Sequence, residues 1–337
     1  MAWQCVRGPL AAGLSLTLLA LLAIPTLSGT ALAQKPPGYP AKPVRVIISS
    51  VPGGGADFLG RLVFTRLGQS WGATFNAENI ATGVGGILAM ETTLKAPADG
   101  YTLLVTSSSS YINAAFAAPV SWDVRKAFAP VSPMTVSTLM VAAATNTPYA
   151  NLKEMIAWAK AHPGEINYGV PGIGSSPHLT GELMQHQAGF KMTVVPYKGT
   201  GQSVVDTLAG RLPLIIGSLT AITPHAKAGK VRVIGVTSYH RAPSAPDFLT
   251  LHEAGLTDYD YSGWFGIVAH GNTPAALVQA LNQGITQVIN QPETQAAMLK
   301  NGADPLTGTP EQFRSTILNA LGRTEAVLKA TGLKLSE

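Results

Sequence analysis

The sequence predicts an α/β protein of two domains, and three observations lead to that expectation. Short β-rich runs alternate with segments of helical spacing, the pattern that lays helices on the faces of a mainly parallel sheet. The alternation begins again after the middle of the chain. The length of 337 residues suits two compact domains better than one.

The N-terminus comes first and belongs to neither domain. Arg7 is the only charge before an apolar run over residues 10–24 (LAAGLSLTLLALLAI), too short to span a hydrocarbon layer of ~30 Å comfortably. Pro25, Gly29 and then Ala31-Leu32-Ala33 follow, and a signal peptidase accepts small residues at the first and third of those last positions. Residues 1–33 therefore read as a signal peptide cut after Ala33, in preference to an uncleaved anchor. Cys5, the only cysteine, precedes the apolar run and leaves with it. The mature chain then has no disulfide, no cysteine nucleophile and no Cys-ligated zinc.

Residues 34–42 form a Pro-rich leader. Residues 44–49 (VRVIIS) are a β-rich run broken by Gly53-Gly54-Gly55, and residues 57–67 then place Phe58, Leu59, Leu62, Val63 and Leu67 on one side of a helix. Residues 73–78 read as a strand, 85–95 as a helix, and 101–106 (YTLLVT) as a strand running into the four serines 107–110. In the second half, 139–144 is apolar, and Asn151 opens a helix with Glu154 as its capping-box partner. A strand at 166–170, a loop at 171–176 and a helix at 178–188 follow. Residues 192–196 are a strand before a helix ending near 209, and 212–216 and 231–237 are two more. A short helix between those last two strands is expected to start at Thr223-Pro224. Residues 238–248 are a Pro-rich connector, 261–269 a last β-like run, and Thr273-Pro274 and Thr309-Pro310 open terminal helices.

Hydrophobic residues make up 46% and charged residues only 12% of the chain, so core material is ample and a disordered class is excluded. The net charge of +5 is spread without a Lys/Arg cluster, which argues against a nucleic-acid partner. Gly53-Gly54-Gly55 fails the dinucleotide fingerprint because Phe58 stands where its third glycine belongs, and no GxxxxGK[ST] is present. Two readings of the triplet stand: a tight turn, or a loop whose N–H groups meet an anion at a helix N-terminus. Asp57 reads as a helix cap and not as a catalytic acid, so Asp57→Asn is expected to do little. Gly172-Ile173-Gly174-Ser175-Ser176 does not match a GxSxG elbow, and His178 reads as a helix-start residue bonded to nearby backbone or as a ligand contact, not a triad member. His225, His240, His252 and His270 lack metal-ligand spacing, and no metal or cofactor is expected. The hydroxyl- and Gly-rich loops that follow strands instead suggest a neutral cradle for a small anion, with no obligatory Arg.

Seven segments in order resemble the Bug family, the periplasmic solute receptors of tripartite tricarboxylate transporters. They are residues 50–61 (SVPGGGADFLGR), 78–79 with 83–86 (EN, GVGG), 96–102 (APADGYT), 174–179 (GSSPHL), 195–199 (VPYKG), 229–232 (GKVR) and 263–266 (GWFG). The resemblance covers essentially the whole mature chain. It implies a two-lobed type II periplasmic-binding-protein fold with a ligand cleft between the lobes. Lobe 1 would comprise residues 34–135 and 256–337, lobe 2 residues 136–255, with crossovers near 132–139 and 238–259. By position, the implied ligand contacts are Gly54, Gly55 and Ala56; Ser107, Ser108 and Ser109; Ser175, Ser176 and His178; Lys198, Gly199 and Thr200; and Ser218. Gly217-Ser218 stands where relatives often carry an Asp, which weakens an amino-acid ligand and leaves dicarboxylates and aromatic acids open. The implied protein is a monomeric, non-enzymatic receptor that hands a carboxylate to membrane subunits. A secreted hydrolase or lyase using the same cleft, and a ligand sensor for a signalling kinase, are the alternatives.

Overall fold

The computed structural model describes residues 36–80, 86–197 and 200–335, apart from the side chain of Thr220. The expected signal peptide and its expected cleavage point, Lys198, Gly199 and the 81–85 segment lie outside the described residues. Among the described residues, no helix is long and apolar enough to cross a membrane.

Two sheets organise the chain. The first takes strands from both ends of the sequence: β1 (Val44–Ile48), β2 (Phe75–Asn79), β3 (Thr102–Ser107), β4 (Phe128–Ser137), β10 (Gly263–His270) and β11 (Asp304–Pro305), in the order β11-β4-β10-β3-β1-β2. The second is built from the middle: β5 (Leu139–Ala144), β6 (Asn167–Val170), β7 (Thr193–Pro196), β8 (Leu214–Ser218) and β9 (Val231–Val236), in the order β7-β6-β8-β5-β9. The chain crosses from β4 to β5 at Thr138 and returns between β9 and β10 over residues 237–262.

Both sheets are mixed, where the alternating pattern alone suggests parallel ones. β1 runs parallel to β2 and β3, but β10 is antiparallel to β3 and β4. β6 runs parallel to β7 and β8, but β5 is antiparallel to β8 and β9. The reason lies in the crossovers. β4 and β9 end at the edge where the crossovers start, so β5 and β10 must enter their sheets from that same edge and run against their neighbours. The geometry brings the carboxyl ends of β1, β2 and β3 in one sheet and β6, β7 and β8 in the other to the edges joined by the crossovers.

Strand side chains alternate between hydrophobic clusters, as a period of two requires. Val44, Val46 and Ile48 join one cluster with α1 (Gly55–Trp71) and α9 (Ala275–Ile289), while Ile47 faces another. In the second sheet, Met140, Ala142 and Ile215 pack with α7 (Thr200–Leu208) and α8 (Leu219–Lys227), and Val141, Leu214 and Ile216 face the other way. Sheets buried on both faces read as continuous apolar runs. The cluster on the inner faces is shared by both sheets. It also takes in α2 (Ile87–Leu94), α3 (Ser108–Phe116), α5 (Leu152–Ala161), α6 (Ser176–Ala188) and α11 (Pro310–Thr331). A short α4 (Val124–Ala127) and α10 (Pro292–Lys300) complete the helices.

Capping explains several boundaries. Asn151 accepts the Glu154 N–H while Glu154 accepts the Ala150 N–H. Thr309 and Gln312 form a full capping box at the start of α11, with Pro310 in its first turn. The four serines are not a loop: Ser107 caps α3, and Ser108–Ser110 form its first turn. Serine is a weak helix former but a strong cap, so the run marks a helix start. α8 likewise begins at Leu219, not at Thr223-Pro224, because β8 ends at Ser218 and the helix follows at once with Pro224 inside it.

Candidate functional site

The loop after β1 turns through Gly53, whose φ of +80° places it in the left-handed region that favours glycine. Gly54 then serves as N-cap of α1 without any side-chain hydrogen bond to the helix start. An uncapped N-terminus leaves N–H groups and the positive end of the helix dipole facing outward. Beneath the loop lies Asp57, 7% exposed, at the third position of the helix. It is not the N-cap. Its Oδ2 accepts the Gly53 N–H at 2.9 Å, and its Oδ1 accepts from Arg61 Nε at 2.7 Å and Asn79 Nδ2 at 2.8 Å. Asn79 also donates to the Ser50 carbonyl at 3.0 Å. The network fastens the Gly-rich loop to the end of β2. Burial pushes the Asp57 carboxyl up, but the Gly53 N–H, the Asn79 amide and the Arg61 guanidinium outweigh it and hold the pKa below the usual value. Against Gly55 lies Phe265 of β10: a Cβ at Gly55 would stand 3.4 Å from its Cζ.

The serines after β3 are already partly engaged. Ser108 is buried, and its Oγ accepts the Trp264 N–H at 3.3 Å. Ser109 Oγ lies 2.9 Å from Ser176 Oγ. That bond joins the first turn of α3, which follows β3 of the first sheet, to the start of α6 beside the second. Two hydroxyls share one hydrogen bond, so one proton remains free to donate to a third partner.

After β6, Ser175 caps α6 by accepting the His178 N–H, and its hydroxyl donates to the Gly172 carbonyl at 2.7 Å. His178 is 2% exposed and faces protein on both ring nitrogens. Its Nδ1 accepts the Gly174 N–H at 3.0 Å, which places the proton of the neutral ring on Nε2, 3.8 Å from Glu182 Oε1. His178 therefore shapes the loop through Gly174. Burial pulls its pKa below the usual value against the opposite pull of Glu182. The unfolded chain then takes up the proton first as pH falls, so stability held above ~6.5 is progressively lost below it. Between pH 7.5 and 5, melting of the wild type is expected to fall further than melting of His178→Asn, whose Oδ1 retains the Nδ1 acceptor. Equal slopes in thermal melts would show that His178 does not titrate against the fold.

Thr200, the first residue of α7, lies against Gly217, where an added Cβ would stand 2.6 Å from its Cγ2. The starts of α7 and α8 are therefore neighbours, and Ser218 caps α8 by backbone alone, its side chain exposed and making no cap bond. Gly54, Gly55, Ala56, Ser107, Ser108 and Ser109 thus sit at the first sheet's edge, and Ser175, Ser176, His178, Thr200 and Ser218 at the second's. Arg61, Asn79 and Phe265 belong to the same neighbourhood, and sequence reasoning assigned them no role. Arg61 follows Asp57 by one helical turn, a usable ion-pair signal. Asn79 is 22 residues away and gives none.

The sequence matches the family described as "Tripartite tricarboxylate transporter family receptor" over residues 61–333. It is 32% identical to protein BugT of Bordetella pertussis over 299 residues, covering 88% of this chain and 91% of that protein. The fold is similar to R. palustris Rpa4515 with adipate, with a TM-score of 0.77 at 29% identity over 89% of this chain and 100% of that one. It is also similar to MatC from Rhodopseudomonas palustris with bound malate, with a TM-score of 0.71 at 26% identity over 86% and 100%. The fold is the two-lobed α/β type of these periplasmic binding proteins, and the chain belongs to the Bug family of tripartite tricarboxylate transporter receptors.

Proposed function

We propose that this receptor captures a small organic carboxylate between its two lobes and presents it, in the closed form, to membrane subunits of a tripartite transporter. The lobes are residues 34–135 with 256–337, and residues 136–255. The observation that carries this reading is the convergence of helix starts from both sheets, bridged by the Ser109–Ser176 bond at 2.9 Å. The donors there are N–H groups and hydroxyls, and Arg61 is already committed to Asp57 and Asn79. α1 and α8 start without side-chain caps, one on each sheet, which suits the two ends of a dicarboxylate. The adipate of Rpa4515 and the malate of MatC are both carboxylates.

Ligand contacts would come from Gly54, Gly55, Ala56, Ser107, Ser109, Ser176, Thr200 and Ser218, with Lys198 and Gly199, which precede Thr200 in sequence. Ser108, Ser175 and His178 would hold those groups in place. Closure stabilises the complex only if the ligand meets donors from both lobes. The protein acts as a monomer without catalysis, after export and cleavage behind Ala33.

The test uses protein purified from the periplasm, with its N-terminal sequence expected to begin at Gln34. Thermal melts against aliphatic, hydroxylated and aromatic carboxylates are expected to show a rise for at least one acid, with no product formed. Binding at a hundredfold excess over Kd contributes about 2.7 kcal/mol. X-ray scattering is expected to show compaction with the same acid. No rise with any acid, or turnover of the acid that binds, overturns the reading.

A further inference from the structure

A cavity of about 420 Å³ lies at the crossovers and includes none of the cradle residues. Its walls include Thr138 from the first crossover, Ser238 and Asp260 from the second, Trp264 from β10, Asp304 from β11 and Arg323 from α11. The volume is that of a small-molecule site.

Its charges are the unusual feature. Arg323 is half-buried and makes no hydrogen bond or salt bridge among the described residues. Asp260, also half-buried, accepts only the Ser262 hydroxyl, at 2.8 Å. The two line the same cavity without forming an ion pair. Arg241, the other arginine of the wall, is held by Glu253 at 3.0 Å. Asp304 is 4% exposed; its Oδ1 accepts the Ser244 N–H at 2.6 Å, while its buried Oδ2 has no hydrogen-bond partner among the described residues and adds a second acceptor to the acidic side of the cavity. A partly desolvated cation and carboxylate that share a cavity unpaired each gain from a partner of opposite charge. Val136, Leu306 and Trp264 supply apolar wall in the same cavity.

We propose that this cavity is a second binding site, distinct from the cradle, for a small zwitterion with an apolar body, its carboxylate on Arg323 and its primary ammonium on Asp260. The site stands whether or not the cleft takes a carboxylate. Its walls include both segments that connect the sheets, so a ligand fitting one crossover geometry favours that geometry. Arg323 and Ser262 also line a narrow cavity of about 10 Å³ together with Ser108 and Ser176. Arg323 therefore lies beside Ser176, one member of the Ser109–Ser176 bond that bridges the two halves. By linkage, the zwitterion and the cleft ligand change each other's affinity by the same factor.

Calorimetric titration of the mature protein with L-leucine, 4-methylpentanoate and isoamylamine tests the site, the last two lacking the amine and the carboxylate of leucine in turn. Leucine is expected to bind at least about tenfold more tightly than either single-charge analogue. Arg323→Gln and Asp260→Asn, on different elements and both at half-exposed positions, are each expected to weaken leucine about tenfold or more with unchanged melting of the free protein. Three results overturn the proposal: no leucine binding at millimolar concentration, equal binding of all three probes, or wild-type leucine affinity in both variants. The last would place leucine in the cradle.

Discussion

Gly266→Ala is expected to lower the melting temperature sharply, because the added methyl has nowhere to go. A Cβ at Gly266 would stand 2.2 Å from Phe313 Cζ and 2.7 Å from its Cε1. Phe313 is fully buried in α11 and packs edge-on against Trp264, with ring centroids 5.0 Å apart. Neither side can give way easily. β10 is the strand hydrogen-bonded between β3 and β4, with its register shifted at Phe265/Gly266. Overpacking of a dense core costs typically 1–3 kcal/mol, and a contact this short belongs at about 3 kcal/mol or above. In a chain of this size that is roughly 5–10 °C. Scanning calorimetry of Gly266→Ala, Phe313→Leu and the double variant separates the causes. The double variant is expected to be less destabilised than the two single effects added, because leucine vacates the ring edge that the methyl strikes. A Gly266→Ala melt within a degree of wild type would show that α11 moves aside freely. Since Phe265 lies against Gly55, such movement would reach the cradle as well.

The same glycine shows what the sequence made legible. Residues 263–266 are one of the seven segments that resemble the Bug family, and the strand there was readable, but nothing local shows that Phe313 lies over Gly266. Elements with strong local signals emerged with nearly correct bounds. β1 and β5 are short apolar runs between breakers, and Asn151 and Thr309 sit where the helix starts demand. Strand direction did not emerge. β5 and β10 run against their neighbours because of where the crossovers lie, and that is a property of the whole path. No element is read over residues 111–138, yet they hold most of α3, all of α4 and the ten-residue β4, whose side chains are mostly buried. A strand covered on both faces and carrying Pro130 and Pro133 shows neither alternation nor the usual composition.

For the cradle, the loops were readable from glycine and serine content, but the partners of each hydroxyl were not. Ser108, Ser175 and His178 look alike in sequence as candidate contacts. In the fold, Ser108 holds the start of β10, Ser175 caps α6, and His178 fixes Gly174. Each uses an acceptor atom on the protein itself, and such assignments depend on residues as far apart as 156 positions.

Asp57→Asn is expected to damage both stability and ligand affinity, contrary to the helix-cap reading. The carboxylate accepts three hydrogen bonds on two oxygens, from Gly53, Arg61 and Asn79. Asparagine offers one oxygen and turns an NH₂ group toward donors, so at least one of these bonds becomes a donor facing a donor. Arg61 is 46% exposed and regains water; Asn79 is half-buried, and the Gly53 N–H holds the turn itself through this one bond. The loss is about 2 kcal/mol, at the charged end of the range for hydrogen bonds. Freeing the Gly53 N–H also releases the turn that aims the Gly54 and Gly55 backbone, so affinity for a confirmed carboxylate is expected to fall about tenfold or more. The pH dependence carries a separate signature. The folded pKa of Asp57 lies below its unfolded value, so its contribution is complete above ~3.9 and disappears as pH falls through the folded pKa. The gap in melting temperature between wild type and Asp57→Asn is therefore expected to be constant near neutrality and to close on acidification below pH ~4. Arg61→Gln, which removes only one of the three donors, is expected to show a smaller gap with the same acid closure. Melts of the three proteins from pH 7 to pH 3, with calorimetric titration at pH 7, decide the matter. A wild-type melt and wild-type affinity in Asp57→Asn would mean that the Gly-rich loop keeps its shape without the carboxylate, and that β2 plays no part in aiming it.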